Sequence, residues 1–464
     1  MTVVFPTPPF WLTTATVELT TPSSQTQRYS ILDRRPSRRS RTQKFAKRNQ
    51  PHQLRRWPSV SVMTDLMTDA QALLPELIEW RRRIHRHPEL GIENPVTQRL
   101  IVEALEPLGI DDLTTGTGIS SVTATITGAL PGPTVVLRAD TDALPMTEDT
   151  EWDHKSQIDG RAHVCGHDAH VAMLLGAAKL LVDRRDELAG NIRLAFQPGE
   201  EGFGGMVHML AEGLLTEGLD KRPEAAFAIH ITPNLPLGLV GGRSGSLMAS
   251  TDDFKVTVRG AGAHASTPHF GNDPIPVAAE MIMALQTLVT RRINAFDPAV
   301  VTVGHLTAGT TTNVIPDHAW FEGTMRTVSS ASRVQIREGF ERIVRGVAAA
   351  HDCEVDVELR AGYPVTVNDG GVHQFASELV KDLTGDHSWL EFPTPVMGAE
   401  DVSYLFEEIP GAMVFLGVCP DDISNSLLAP SCHSNLMRLN EAAMPMGAAL
   451  HAAFALRWSG RSAA

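Results

Sequence analysis

Cysteine is scarce in this chain, at 4 in 464 residues, and tyrosine is scarcer still, at 3. So few thiols over that length cannot make a disulfide framework, which excludes the small stapled folds of secreted proteins and points to a reducing compartment, the cytoplasm. No apolar run approaches the roughly 18 residues needed to cross a bilayer, so no membrane helix is expected. Cationic charge is concentrated at one end. Residues 1–62 hold 11 Lys and Arg against 2 Asp and Glu; the whole chain stands at -14, which leaves residues 63–464 at -23. A body that acidic excludes nucleic acid as the partner. The remaining composition is ordinary for a soluble enzyme, 42% hydrophobic and 20% charged.

The basic stretch differs in character from the rest of the chain. It is rich in Ser, Thr, Pro and Arg, as in Arg34-Arg35-Pro36-Ser37-Arg38-Arg39-Ser40-Arg41, and has no helical or strand period. It lacks the apolar core of a secretory signal, and although a transit peptide shares its composition, a disordered extension is the simpler reading. Met63 or Met67 is the alternative start.

From there the chain alternates strands with helices. Glu76 to Arg86 reads as the end of an amphipathic helix, stopped at Pro88. Thr134–Leu137, Ile192–Phe196 and Ala226–Ile231 read as apolar strands, and His170–Leu181 as a helix between the first two. That order predicts an α/β fold with a mostly parallel sheet, whose chemistry collects at strand carboxyl ends. Between residues 250 and 360 the rhythm changes. Strands at Phe254–Val258, Val300–Leu306, Ala319–Arg326 and Glu354–Leu359, with helices at Pro274–Arg292 and Arg333–Ala350, give the β-α-β-β-α-β order of a ferredoxin-like unit. Afterwards a strand at Met413–Val418 and a helix at Glu441–Leu456 resume the first pattern. The predicted organisation is therefore a catalytic domain in two parts, 63–249 and 361–464, interrupted by an α+β lid at 250–360.

The chemistry sits in short clusters. His163-Val164-Cys165-Gly166-His167-Asp168-Ala169-His170 packs thiolate and imidazole donors into eight residues, and zinc and its neighbours favour such donors. Glu200 and Glu201 follow a strand end, so one can ligate while the other stays free as a base. His230 and His433 are further lone histidines. Each piece alone has a structural explanation; together they read as a hydrolytic metal site. For His85, His87 and His170, packing or capping serves as well as ligation; His163 reads as structural or as support for a ligand, and Arg138 with Asp140 as a buried ion pair bracing the strand end.

Six motifs, taken in order, resemble one family. They are Arg138–Pro145, the Cys-Gly-His-Asp stretch, Phe196–Glu201, Gly260–Ser266, Asn313–Asp317 and Gly398–Asp401. The chain is similar, over about residues 70–458, to the dinuclear metallopeptidases that include aminoacylases, carboxypeptidases, hippurate hydrolases and auxin-conjugate amidohydrolases. The resemblance implies two divalent ions, zinc, manganese or cobalt, bridged by Cys165. It places His167 and His230 on one ion and Glu201 and His433 on the other. Glu200 becomes the general base, with Asp142 steadying the site from behind. His264 becomes the oxyanion-stabilising lid histidine, often supplied by a neighbouring subunit, and Asn313 and Arg326 the grip on the substrate carboxylate. A homodimer through the lid is implied as well. The expected activity is hydrolysis of N-acyl amino acids to a carboxylic acid and a free amino acid. Dipeptidase or carboxypeptidase action and a catalytically silent small-molecule binder are the alternatives.

Overall fold

Side-chain alternation along the strand Leu130–Asp140 sets out the larger part of the molecule. Val135, Leu137 and Ala139 enter one hydrophobic core and Val136 enters another, so this strand is buried on both faces. The computed structural model describes residues 60–461. The reading of residues 1–62 as an extension therefore falls almost wholly outside the described residues, and a helix, Val60–Ala72, begins within its last few positions.

Eight strands form the main sheet. Its order is Asp112–Thr115, Val122–Thr127, Ala189–Gln197, Leu130–Asp140, Ala225–Thr232, Gly411–Gly417, Val240–Gly242 and Trp389–Glu391. Four of its seven pairings are parallel, including the three central ones around Leu130–Asp140 and Ala225–Thr232. Leu137 lies beside Leu194 on one side and Phe227 on the other. The helix His167–Val182 covers one face and is buried nearly all round, as a helix apolar on every side must be. Met444–Ser459 packs against it, and the approach is close. A Cβ on Gly176 would meet Leu77 Cδ2 at 2.6 Å and Ala448 Cβ at 3.1 Å. Each large apolar side chain removed from water here contributes about 1.5–3 kcal/mol.

A smaller antiparallel sheet has the order Ala299–Ala308, His318–Thr327, Ser250–Arg259, Glu354–Ala361. Helices Pro274–Arg292 and Ser330–Ala350 cover it and share its separate core of Phe254, Phe321 and Phe340. This is the ferredoxin-like order expected from the sequence. Ser329 caps the second helix by accepting the Ser332 amide, so the helix begins at Ser330, three residues before the expected start at Arg333.

Candidate metal centre

The alternation that builds the core also builds the site. Arg138 and Asp140 share the parity of Val136, Gln197 that of Ala195, and His230 that of Ala226 and Ala228. Polar groups at the carboxyl ends of three adjacent parallel strands therefore converge on one face, where open α/β sheets place ligands.

Arg138 organises the floor. Its guanidinium donates to Gln197 Oε1 at 2.9 Å, Asp140 Oδ2 at 2.8 Å, Glu400 Oε1 at 2.8 Å and Asp401 Oδ1 at 3.0 Å. All of these groups are buried. The ion pair read from Arg138 and Asp140 is present, within a larger network than the sequence suggested. Asp140 in turn accepts from His170 Nδ1 at 2.5 Å, while His170 Nε2 accepts the Ile231 amide at 2.9 Å. His170 is thus a bracket between two strands.

Cys165 and His167 flank Gly166, whose φ of 88° lies in the left-handed region. A Cβ there would meet Ile231 Cγ1 at 2.5 Å, so only glycine lets the two donors turn into the same space. His167 opens the helix, three residues earlier than its apolar period suggests. His230 Nδ1 donates to the Ile231 carbonyl at 2.6 Å, which leaves the Nε2 lone pair facing Cys165 Sγ at 3.4 Å. Burial, with His170 beside it, lowers the His230 pKa to about 3 and keeps the ring neutral. Glu201 Oε1 is 3.9 Å from His167 Nε2 and 3.2 Å from His433 Nε2. His433 holds a φ of 70°, rare outside glycine, and its amide donates to the Val164 carbonyl at 2.8 Å, tying its loop to the Cys165 segment.

These donors fit divalent metal. Cys165, His167 and His230 offer atoms within 4.8 Å of one another, as do Cys165, Glu201 and His433. His167 Nε2 is buried without a hydrogen-bond partner among the described residues, as a ligand nitrogen is, while Asp142 Oδ1 stands 3.5 Å from Nδ1. The charge balance agrees. Burial opposes a charged His167, yet Asp140, Asp142 and Glu201 outweigh it and raise its pKa to about 10. The Cys432 thiol, burial and Glu201 push the Cys165 thiol up, and burial with Glu400 and Glu201 pushes Glu200 up. The pocket is short of positive charge.

Asp142 lies behind the glutamates, accepting the Glu200 and Glu201 amides. On the other side of the same turn, Tyr363 donates to the Glu200 carbonyl at 2.6 Å. Burial, with Asp401 and Glu200 adding to it, raises the Tyr363 pKa, so the phenol stays a donor. A cleft of about 620 Å³ opens over the donors and is lined by Cys165, Glu200, Glu201, His230 and His433. Arg326, Tyr363, Met248, Val396 and Phe415 line it too. Arg326 thus reaches the cleft within one chain. His264 and Asn313 do not line it. They are exposed on neighbouring segments, where Val314 pairs with His264 and the Asn313 carbonyl accepts the Ala265 amide. His163 is buried with no hydrogen-bond partner for either ring nitrogen among the described residues, and burial lowers its pKa to about 3.

A doubly covered α/β sheet with Cys, His and Glu donors at its carboxyl edge defines an α/β metallohydrolase. More narrowly, the chain belongs to peptidase family M20/M25/M40, whose family model matches residues 136–457. It is 40% identical over 405 residues to IAA-amino acid hydrolase ILR1-like 2 of Arabidopsis thaliana, covering 86% of this chain and 89% of that one. It is 40% identical over 347 residues to N-acetyl-L-cysteine deacetylase of Bacillus subtilis, covering 75% and 81%. Among solved structures it resembles a dinuclear metal binding peptidase of the M20 family from Bacillus subtilis, with a TM-score of 0.71 and 33% identity, covering 84% of this chain and 99% of that one.

Proposed function

We propose that this hydrolase cleaves the amide bond of N-acyl amino acids, releasing a carboxylic acid and a free amino acid. The observation that carries the reading is one cleft lined by Cys165, Glu201, His230, His433 and Arg326, with His167 buried beneath it in reach of Cys165 and His230. In this reading two divalent cations (zinc, manganese or cobalt) would be held by Cys165 with His167 and His230 and by Cys165 with Glu201 and His433. When bound, such a pair lowers the pKa of water and polarises the scissile carbonyl.

The chain's own groups do the rest. Glu200 lies in the cleft wall beside the ligand Glu201; as general base it takes a proton from the attacking water and passes it to the leaving nitrogen. Arg326 pairs with the free carboxylate of the amino-acid half, for which a planar guanidinium suits. Met248, Val396, Phe415 and Ile231 offer the acyl group an apolar wall. The auxin-conjugate hydrolase and acetylcysteine deacetylase among its relatives support this substrate class.

His264 and Asn313 supply the oxyanion contact and a second carboxylate grip. Their exposure away from the cleft supports delivery by a second copy, in a homodimer joined through the 250–360 lid, whose strand Ala299–Ala308 is a sheet edge. The four cysteines are all free thiols, in keeping with a cytoplasmic setting.

The test compares an N-acyl amino acid with the matching N-acylamine that lacks the carboxylate. The acid should be turned over at least about 100-fold more efficiently, a factor worth roughly 3 kcal/mol, and Arg326→Ala should erase most of that preference. Equal turnover of both compounds would overturn the assignment.

A further inference from the structure

Among the groups the proposed mechanism leaves unused, Tyr363 has the most specific placement. It follows the strand Glu354–Ala361, where the chain leaves the smaller sheet for the larger one. Its carbonyl accepts the Thr251 amide at 3.0 Å, and the Gly362 amide donates to the Thr251 carbonyl at 3.1 Å. Thr251 stands near the start of the outgoing strand, so the two crossings between the sheets are laced together here. Arg333 adds to the lacing by donating to the Gly362 carbonyl at 2.8 Å.

The phenol itself is 8% exposed and enters the turn that carries the glutamates. Its hydroxyl donates to the Glu200 carbonyl at 2.6 Å and accepts the Gly204 amide at 3.1 Å, joining the two ends of that turn. The Gly202 amide also reaches the Glu200 carbonyl, at 2.7 Å. Glu201 Oε1 has only the exposed His433 ring near it, at 3.2 Å, so the main chain does most to aim it. Asp142 grips that main chain by its amides and Tyr363 by its carbonyl. A tyrosine needed only for packing would not require both bonds.

We propose that Tyr363 is a positioning residue that, through its hydroxyl, holds the Glu200–Gly204 turn in register with the crossing between the two sheets. The base and one ligand of the metal pair are thereby set by the same contact. This rests on the proposed roles of Glu200 as base and Glu201 as ligand.

Tyr363→Phe deletes the hydroxyl and keeps the ring. Two readouts decide the matter: kcat and KM on an N-acyl amino acid, and Co²⁺ affinity by chelator competition, followed through the visible absorption of the loaded protein. Loss of an outer contact that orients a ligand costs about 10–100-fold in affinity or activity. The expected result is a kcat about 10-fold lower or more with KM within about twofold, and one cobalt ion held about 10-fold more weakly. A variant with kcat and both cobalt affinities within twofold of the parent would overturn the proposal. So would a variant that fails to fold, since the hydroxyl would then serve the scaffold. If the parent protein turns over no acyl amino acid, the functional reading fails, while the cobalt affinities still decide the role of Tyr363.

Discussion

Asp142 accepts the main-chain amide of Glu200 at 2.9 Å through one carboxylate oxygen, and that of Glu201 at 3.0 Å through the other. One buried side chain thus orients the two adjacent carboxylates on which the proposed chemistry depends. Asp142→Asn has one acceptor for two amides and points a donor at the second. We expect a fall in kcat of about 10–100-fold, the scale of lost outer-shell support, with the fold kept. Steady-state kinetics beside a melting curve checks it, and an unchanged kcat would show that the two amides do not need both oxygens.

Glu200→Gln keeps the shape of the base and removes its ability to take a proton. Turnover should drop by about 10²–10⁴-fold, while elemental analysis finds the metal content of the parent protein. A variant that loses metal along with activity would instead make Glu200 a ligand.

Cys165→Ala should behave in the opposite sense, losing metal first and activity as a consequence. Gly166→Ala should follow it without touching a donor, because a side chain at φ 88° meets Ile231 and forces Cys165 and His167 apart. Such backbone strain costs about 1–3 kcal/mol, enough to see in the melting temperature. If Gly166→Ala binds metal and melts like the parent, the turn is less constrained than its geometry indicates.

The pH dependence of stability has an identifiable contributor in Glu148. Burial opposes its ionisation, but hydrogen bonds from His85, the Ser156 amide and Thr150 outweigh that and lower its pKa from 4.5 to about 2. A carboxylate lowered on folding stabilises fully above its unfolded value of 4.5, and that contribution is lost as pH falls toward 2. Glu148→Gln should therefore lower the melting temperature at pH 7 and differ less from the parent at pH 3. A gap that stays constant across that range would mean that Glu148 is not the titrating group.

Local pattern carried much of this structure. Pro274–Arg292 reads directly as a helix because its apolar residues recur on one face behind a proline at its start and Asp273 as its cap. The candidate donors stood out as a set, since each alone has a structural explanation and only their joint order suggests metal; the structure groups Cys165, His167 and His230, and Cys165, Glu201 and His433. Four short strands of the main sheet were not expected: Asp112–Thr115, Val122–Thr127, Val240–Gly242 and Trp389–Glu391. Three of them have only three or four residues, and they sit at or near the sheet edges, where pairing rather than pattern makes the strand. Val122–Thr127 does alternate, with Val122, Ala124 and Ile126 buried, and that signal was available. Tyr363 had no local signal, since its partners Glu200 and Gly204 lie about 160 residues away in the chain. Sequence alone could not reveal that Arg326 lines the cleft of its own chain while His264 and Asn313 do not.

Metal-dependent amide hydrolysis is best tested by release of free amino acid from N-acyl amino acids, using metal-stripped protein resupplied with zinc, manganese or cobalt. Stripped protein should show no turnover, and activity should recover with at least one of the three ions at about two per chain, as a paired-ion site requires. Full turnover by the stripped protein, or cleavage confined to dipeptides once metal is restored, would contradict the proposed function.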